Sequence, residues 1–105
     1  MSGASPPWLA VMVITAAVIV PIGEELLFRG LAQSLLRRHF GPWPAVLIAS
    51  AIFAAAHWSQ PQAVPSLFVL AVVIGYNYER TGRLLAPILI HTLFNAANMA
   101  LRLIG

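Results

Sequence analysis

The chain has no cysteine and no lysine, and only 9% of its residues carry charge. Without cysteine, disulfides and thiolate metal sites are excluded, and the redox compartment leaves no mark. The scarcity of charge excludes an ordinary soluble domain. At 105 residues the chain is a single domain, 1–105, with residues 1–7 a flexible N-terminus. A soluble domain this small has much surface for its volume and is roughly a quarter charged. Here 60% of the residues are hydrophobic instead. No basic residue precedes the first apolar run, so the N-terminus does not read as a signal peptide. Insertion would rest on the first hydrophobic segment itself. The net charge of +3 and pI near 10.7 could suggest nucleic acid. They come from six arginines lying between apolar runs rather than on one basic face. They read as membrane-topology signals, and no nucleic-acid partner is expected.

What is present is four apolar segments, at about 8–38, 44–58, 64–78 and 84–104. Gly41-Pro42 with Pro44, then Pro61 and Pro65, then Thr81-Gly82 separate them. In lipid each span must satisfy its own backbone, so the predicted fold is all-α. It is a polytopic membrane bundle of about four helices. The second and third segments fall short of the ~20 residues that a span requires, and the first exceeds it. Pro21 lies inside the first segment and is expected to kink it just before two glutamates. Arg37, Arg38 and His39 follow the first segment, and Glu79, Arg80 and Arg83 the third; Ser59-Gln60-Pro61-Gln62 carries no charge. The positive-inside rule makes the turns at 37–39 and 80–83 cytoplasmic and both termini external. Trp8 and Trp58 then mark the outer boundary, Trp43 and Tyr78 the inner. Arg102 dissents, near enough to the outer end to snorkel.

Inside these segments stand Glu24, Glu25, Arg29, His57 and His91, with Asn95 as a polar companion. A charge at the centre of a membrane helix costs about 2.5–3.5 kcal/mol on insertion scales, so such residues read first as functional. Counted at 1.5 Å per residue from the cytoplasmic ends, Glu25 lies roughly 18 Å deep, His57 roughly 20 Å, His91 roughly 12 Å and Asn95 roughly 18 Å. Three helices thus bring polar groups to a similar level. Glu25 and Arg29 share a face at i,i+4 and can pair, and Phe53–His57 and His91–Asn95 repeat that spacing. Glu24 points about 100° away from Glu25, so one carboxylate can face a reaction centre while the other holds a partner. Singly, each group has a bland reading: a structural ion pair, an interfacial histidine, interhelical hydrogen bonding. Jointly these require three unrelated explanations for one layer. His39 sits in a basic turn and takes no site role. Glu79 reads as a solvated loop charge.

Glu24-Glu25-Leu-Leu-Phe-Arg29 reads as EExxxR, Phe53-Ala-Ala-Ala-His57 as FxxxH and His91-Thr-Leu-Phe-Asn95 as HxxxN. In this order the three resemble the type II CAAX-protease and bacteriocin-processing (CPBP, Abi-like) family of intramembrane endopeptidases, over about Pro21 to Asn98. The resemblance implies a proteolytic site within the bilayer. On the matched positions Glu24 and Glu25 would supply the general base, with His57 and His91 nearby. Asn95, with or without His57, would stabilise the oxyanion, and Arg29 would orient a glutamate and the local helix. Hydrolysis without a Ser or Cys nucleophile requires an activated water, a base and donors for the developing charge. Glutamate-activated water with no required cofactor is the expected chemistry. Zinc or another divalent metal on Glu25, His57 and His91 is the alternative, although HExxH is absent. Family members usually carry further helices before the first motif. This chain is then a minimal member, a truncated form, or one that completes its walls with a partner or by self-association.

The resemblance implies a membrane-anchored peptide or protein as substrate and the lipid bilayer as surroundings. The Ala/Arg-rich, lysine-free composition looks like a GC-rich bacterial coding sequence, which would place the chain in the cytoplasmic (inner) membrane. Bacteria generally lack protein prenylation, so the substrate would be a leader or C-terminal sorting segment. A non-catalytic bacteriocin-immunity or scaffold protein of the same fold is the main alternative. A small proton-coupled carrier also uses buried Glu and His but leaves the His91/Asn95 pair unexplained.

Overall fold

The computed structural model describes residues 6–104, with side chains as far as Arg102. Residues 1–5 of the expected flexible N-terminus lie outside the described residues. The architecture is the all-α bundle the sequence predicts, built from four helices: α1, Pro7–Phe40; α2, Pro42–Ala55; α3, Val64–Thr81; and α4, Leu85–Ile104. A single 3₁₀ turn, Pro61–Ala63, leads into α3.

Three helix ends differ from expectation for local reasons. Arg37, Arg38 and His39 belong to the last turn of α1, and Arg80 to that of α3, where cations face the negative end of the helix. Each of these helices then ends on a glycine at positive φ, Gly41 at 89° and Gly82 at 66°. By contrast α2 stops at Ala55, short of the expected 58. The amides of His57 and Trp58 bond only three residues back, to Ala54 and Ala55, so the chain tightens into turns. His57 therefore sits just beyond the helix.

Pro21 does not break α1. The ladder around it widens into π-helical turns over Thr15–Ile19 and Leu26–Gln33. Val20 already donates five residues back, to the Thr15 carbonyl. In that register position 21 would use the Ala16 carbonyl, which a proline cannot reach for want of an N–H. Asn95 of α4 donates its side-chain amide to this carbonyl at 3.4 Å. Wide turns of this kind recur at functional sites in helices.

The C-terminal half of α1 packs against α2, α2 packs along α3, and α4 lies against α3 and the middle of α1. Small residues dominate the seams: Ala45, Ala49, Ser50 and Ala54 of α2 are buried, as are Ala71 and Gly75 of α3. They let the backbones approach closely, as in membrane bundles. Large apolar side chains meanwhile cover the outside, among them Met12, Ile19, Leu31, Ile52 and Leu93. By length and composition α1 can cross a membrane, and α2 is a shorter apolar helix.

Candidate active site

The site is built on a polar row along α1. Glu25, Arg29 and Gln33 follow one another at four-residue spacing, and all three are fully buried. The row is read by α3 in constant register. Arg29 Nη2 donates to the Ala71 carbonyl at 2.6 Å, Gln33 Nε2 to the Gly75 carbonyl at 3.1 Å, and Arg37 Nε to Glu79 Oε1 at 2.6 Å, each 42 positions on. A constant offset means that α1 and α3 run parallel along this seam.

At the head of the row stands His91 of α4. Its Nδ1–H donates to Glu25 Oε2 at 2.7 Å, and its Nε2 lies 3.6 Å from Glu24 Oε1. One imidazole is thus bracketed by both carboxylates. Arg29 Nε stands 3.5 Å behind Glu25 Oε1, at the i,i+4 spacing that predicts the pair. The two glutamates differ in access: the Glu25 side chain is 0% exposed and that of Glu24 28%. Phe53 of α2 forms the wall. Its ring meets His91 edge-on at 5.6 Å and Phe28 at 5.2 Å, and lies 5.6 Å from the Arg29 guanidinium carbon. Those contacts favour the cation electrostatically and fix the imidazole plane.

The single polar layer expected from depth is therefore two adjoining places. Glu24, Glu25, Arg29 and His91 are in direct contact. His57 and Asn95 instead line a cavity of about 520 Å³ toward the end of the bundle opposite the basic turns. His57 reaches the cluster only through Phe53, whose ring is 5.0 Å from its own. Its Nδ1–H donates to the Phe53 carbonyl at 2.8 Å, so its Nε2 becomes a donor only when the ring is protonated. Among the described residues no group of three His, Cys, Asp or Glu side chains is placed to hold a metal ion. Glu25 Oε2 and His91 Nδ1 are directed at each other.

Two buried partners escape the sequence reading. Gln33 passes as an ordinary helix-surface glutamine, yet it bonds both the Gly75 carbonyl and Glu79 Oε2 at 3.1 Å. Glu79 is not a solvated loop charge. It lies within α3 and is only 14% exposed, held by Gln33 and Arg37. The available signal was the repeat itself, since 25, 29, 33 and 37 all bear polar side chains. His39 is exposed and bonds only the Leu35 carbonyl of its own helix.

Comparison with known proteins bears on this arrangement. The chain is 34% identical over 92 residues to the "Uncharacterized 24.3 kDa protein" of Escherichia coli, an alignment covering 83% of the chain. It is 32% identical over 87 residues, 80% of the chain, to the "Uncharacterized protein YpbD" of Bacillus subtilis (strain 168). In each case the aligned region is 42% of the relative's length, so the chain spans about two fifths of these curated relatives. No solved structure matches it. A sequence model described as "Type II CAAX prenyl endopeptidase Rce1-like" matches residues 6–97, which include all three motifs. The chain belongs to the type II CAAX prenyl endopeptidase Rce1-like family.

Proposed function

We propose that this chain forms the core of an intramembrane endopeptidase in which Glu24 activates a water for attack on a peptide bond. The observation that supports this most is His91 held between the two carboxylates, 2.7 Å from Glu25 and 3.6 Å from Glu24. Glu25 is sealed and engaged by Arg29 and His91, so its part is to position. Glu24 keeps partial access and is the carboxylate that a water can reach. With the hydrogen on Nδ1, His91 presents its Nε2 lone pair beside Glu24. A proton taken from water at Glu24 then has a second acceptor at hand, and the leaving amine a donor. Two carboxylates face one guanidinium, and this excess of acid leaves a base available.

Charge developing on the carbonyl oxygen calls for donors across the site. The Asn95 amide holds the Ala16 carbonyl by a long 3.4 Å bond and can turn to an oxyanion at low cost. His57 joins it only as an imidazolium. Arg29 acts through Glu25 and is a positioning residue. The proposed setting is a multi-pass protein of the bacterial cytoplasmic membrane, basic turns on the cytoplasmic side. The substrate is a membrane-anchored peptide or protein.

Peptide profiling of membranes from cells expressing wild type, Glu24→Ala, Glu25→Ala and His91→Ala tests this reading. The expected result is a set of cleaved termini present with wild type and lost in all three variants, at equal membrane insertion. Cleavage kept in all three contradicts the assignment. A bound partner without any cleaved terminus favours the immunity or scaffold reading instead. Loss of cleavage on adding a chelator, restored by zinc, would replace glutamate-activated water with metal chemistry.

A further inference from the structure

Arg37, Arg38, Arg80 and Arg83 stand at one end of the bundle with a single acid, Glu79. Arg37 and Gln33 already hold that carboxylate, so this end keeps a surplus of positive charge. Between α2 and α3 it opens into a cleft of about 250 Å³, whose lining includes Arg37, Trp43, Val46, Tyr76, Glu79 and Arg80. The rings of Trp43 and Tyr76 stack from one helix to the other, 5.7 Å between centroids and 11° between planes. Arg80 Nη1 donates to Tyr76 Oη at 3.1 Å, and its guanidinium carbon lies 5.9 Å from the Tyr76 ring centroid. That hydrogen bond uses one of five N–H donors. Among the described residues no carboxylate pairs with Arg80. A guanidinium oriented by an aromatic ring, with donors to spare, is matched to a phosphate.

We infer that Arg80, Tyr76 and Trp43 form a binding site for an anionic phospholipid, with its phosphate on Arg80. The ligand is a lipid because apolar surface continues below the aromatic pair. Leu47 lies four residues along α2 from Trp43, and Val73 and Val69 lie three and seven residues back along α3 from Tyr76. All three are exposed, and acyl chains run along them. Trp and Tyr favour the headgroup level of a bilayer, where one edge is apolar and the other wet. A soluble phosphate would meet the same guanidinium and leave this surface bare. The surplus of arginines selects an anionic headgroup over a zwitterionic one, as basic pockets between membrane helices do. The site requires only that the bundle lie in a bilayer, and it stands apart from the peptidase reading.

The test is lipid quenching of Trp43 fluorescence in the full chain carrying Trp8→Phe and Trp58→Phe, reconstituted in phosphatidylcholine vesicles. In one arm the brominated lipid is phosphatidylglycerol, and in the other it is phosphatidylcholine. Phosphatidylglycerol is expected to bind about tenfold more tightly, the size of one charge-assisted hydrogen bond. Adding Arg80→Gln should make the two arms alike. Arg83→Gln removes the same charge from outside the cleft and should keep the preference. Far-ultraviolet circular dichroism of each variant verifies the bundle. Equal quenching in both arms with Arg80 present overturns the inference. So does a preference that survives Arg80→Gln, or one lost equally in Arg83→Gln, since general attraction to the basic end then explains it. Release of the quenching by millimolar glycerol phosphate also overturns it, because the site then takes a soluble phosphate. No arm reads cleavage. Cleavage kept in Glu24→Ala counts against the peptidase reading and leaves the lipid preference untouched.

Discussion

The two ends of the polar row on α1 use the same residue types for opposite ends. At the Arg37 end one carboxylate, Glu79, meets two donors, Gln33 and Arg37, and the charge is matched. At the Glu25 end two carboxylates share one guanidinium and one imidazole. The first arrangement is closed and holds α1 to α3. The second keeps an accessible carboxylate and an imidazole nitrogen that can change protonation. An ion pair that joins two helices of the bundle is thus no sign of catalysis by itself. What distinguishes the proposed site is the surplus of base.

Four substitutions sharpen this contrast. Arg29→Gln removes the cation behind Glu25 and the bond to the Ala71 carbonyl. Breaking a buried pair from one side costs about 3–5 kcal/mol, so thermal unfolding in detergent should show a large loss, with cleavage lost alongside. Asn95→Ala should lower the cleavage rate roughly 10²–10³-fold, the usual effect of deleting an oxyanion donor, with the melting temperature little changed. Gly75→Val acts at the closed end. A Cβ there would meet Gln33 Oε1 at 2.9 Å and Val46 Cγ1 at 3.1 Å. Overpacking of this kind costs about 1–3 kcal/mol, read as a lower unfolding midpoint. His39→Gln, exposed and bonded only within its own helix, should shift stability by less than ~0.5 kcal/mol and leave cleavage unchanged.

Much of this was legible in the sequence because lipid makes charge expensive. Glu24, Glu25, Arg29 and His91 stand out in apolar runs, and their spacing correctly pairs Glu25 with Arg29. The all-α bundle follows from the same composition. Three things were not legible. The acceptors on α3 are the backbone carbonyls of Ala71 and Gly75, which leave no polar residue type to notice. Glu79 stands next to Arg80, so its neighbours in sequence suggest a solvated charge, while its partners come from 42 and 46 positions earlier. Depth alone could not separate His57 and Asn95 from the cluster either. Counting residues along a helix gives height but not direction, and α2 ends before His57.

The carboxylates at the two ends of the row do different jobs, and one paired measurement tests this. Glu24→Gln and Glu79→Gln are isosteric changes, each to be measured for substrate cleavage and for unfolding in the same membrane mimic. Glu24→Gln is expected to lose roughly 10²–10⁴-fold in rate, the share of a general base, with stability nearly intact. Glu79→Gln is expected to cleave normally and to lose about 1 kcal/mol of stability. Cleavage at the wild-type rate by Glu24→Gln, or an equal loss of cleavage in both variants without unfolding, would contradict it.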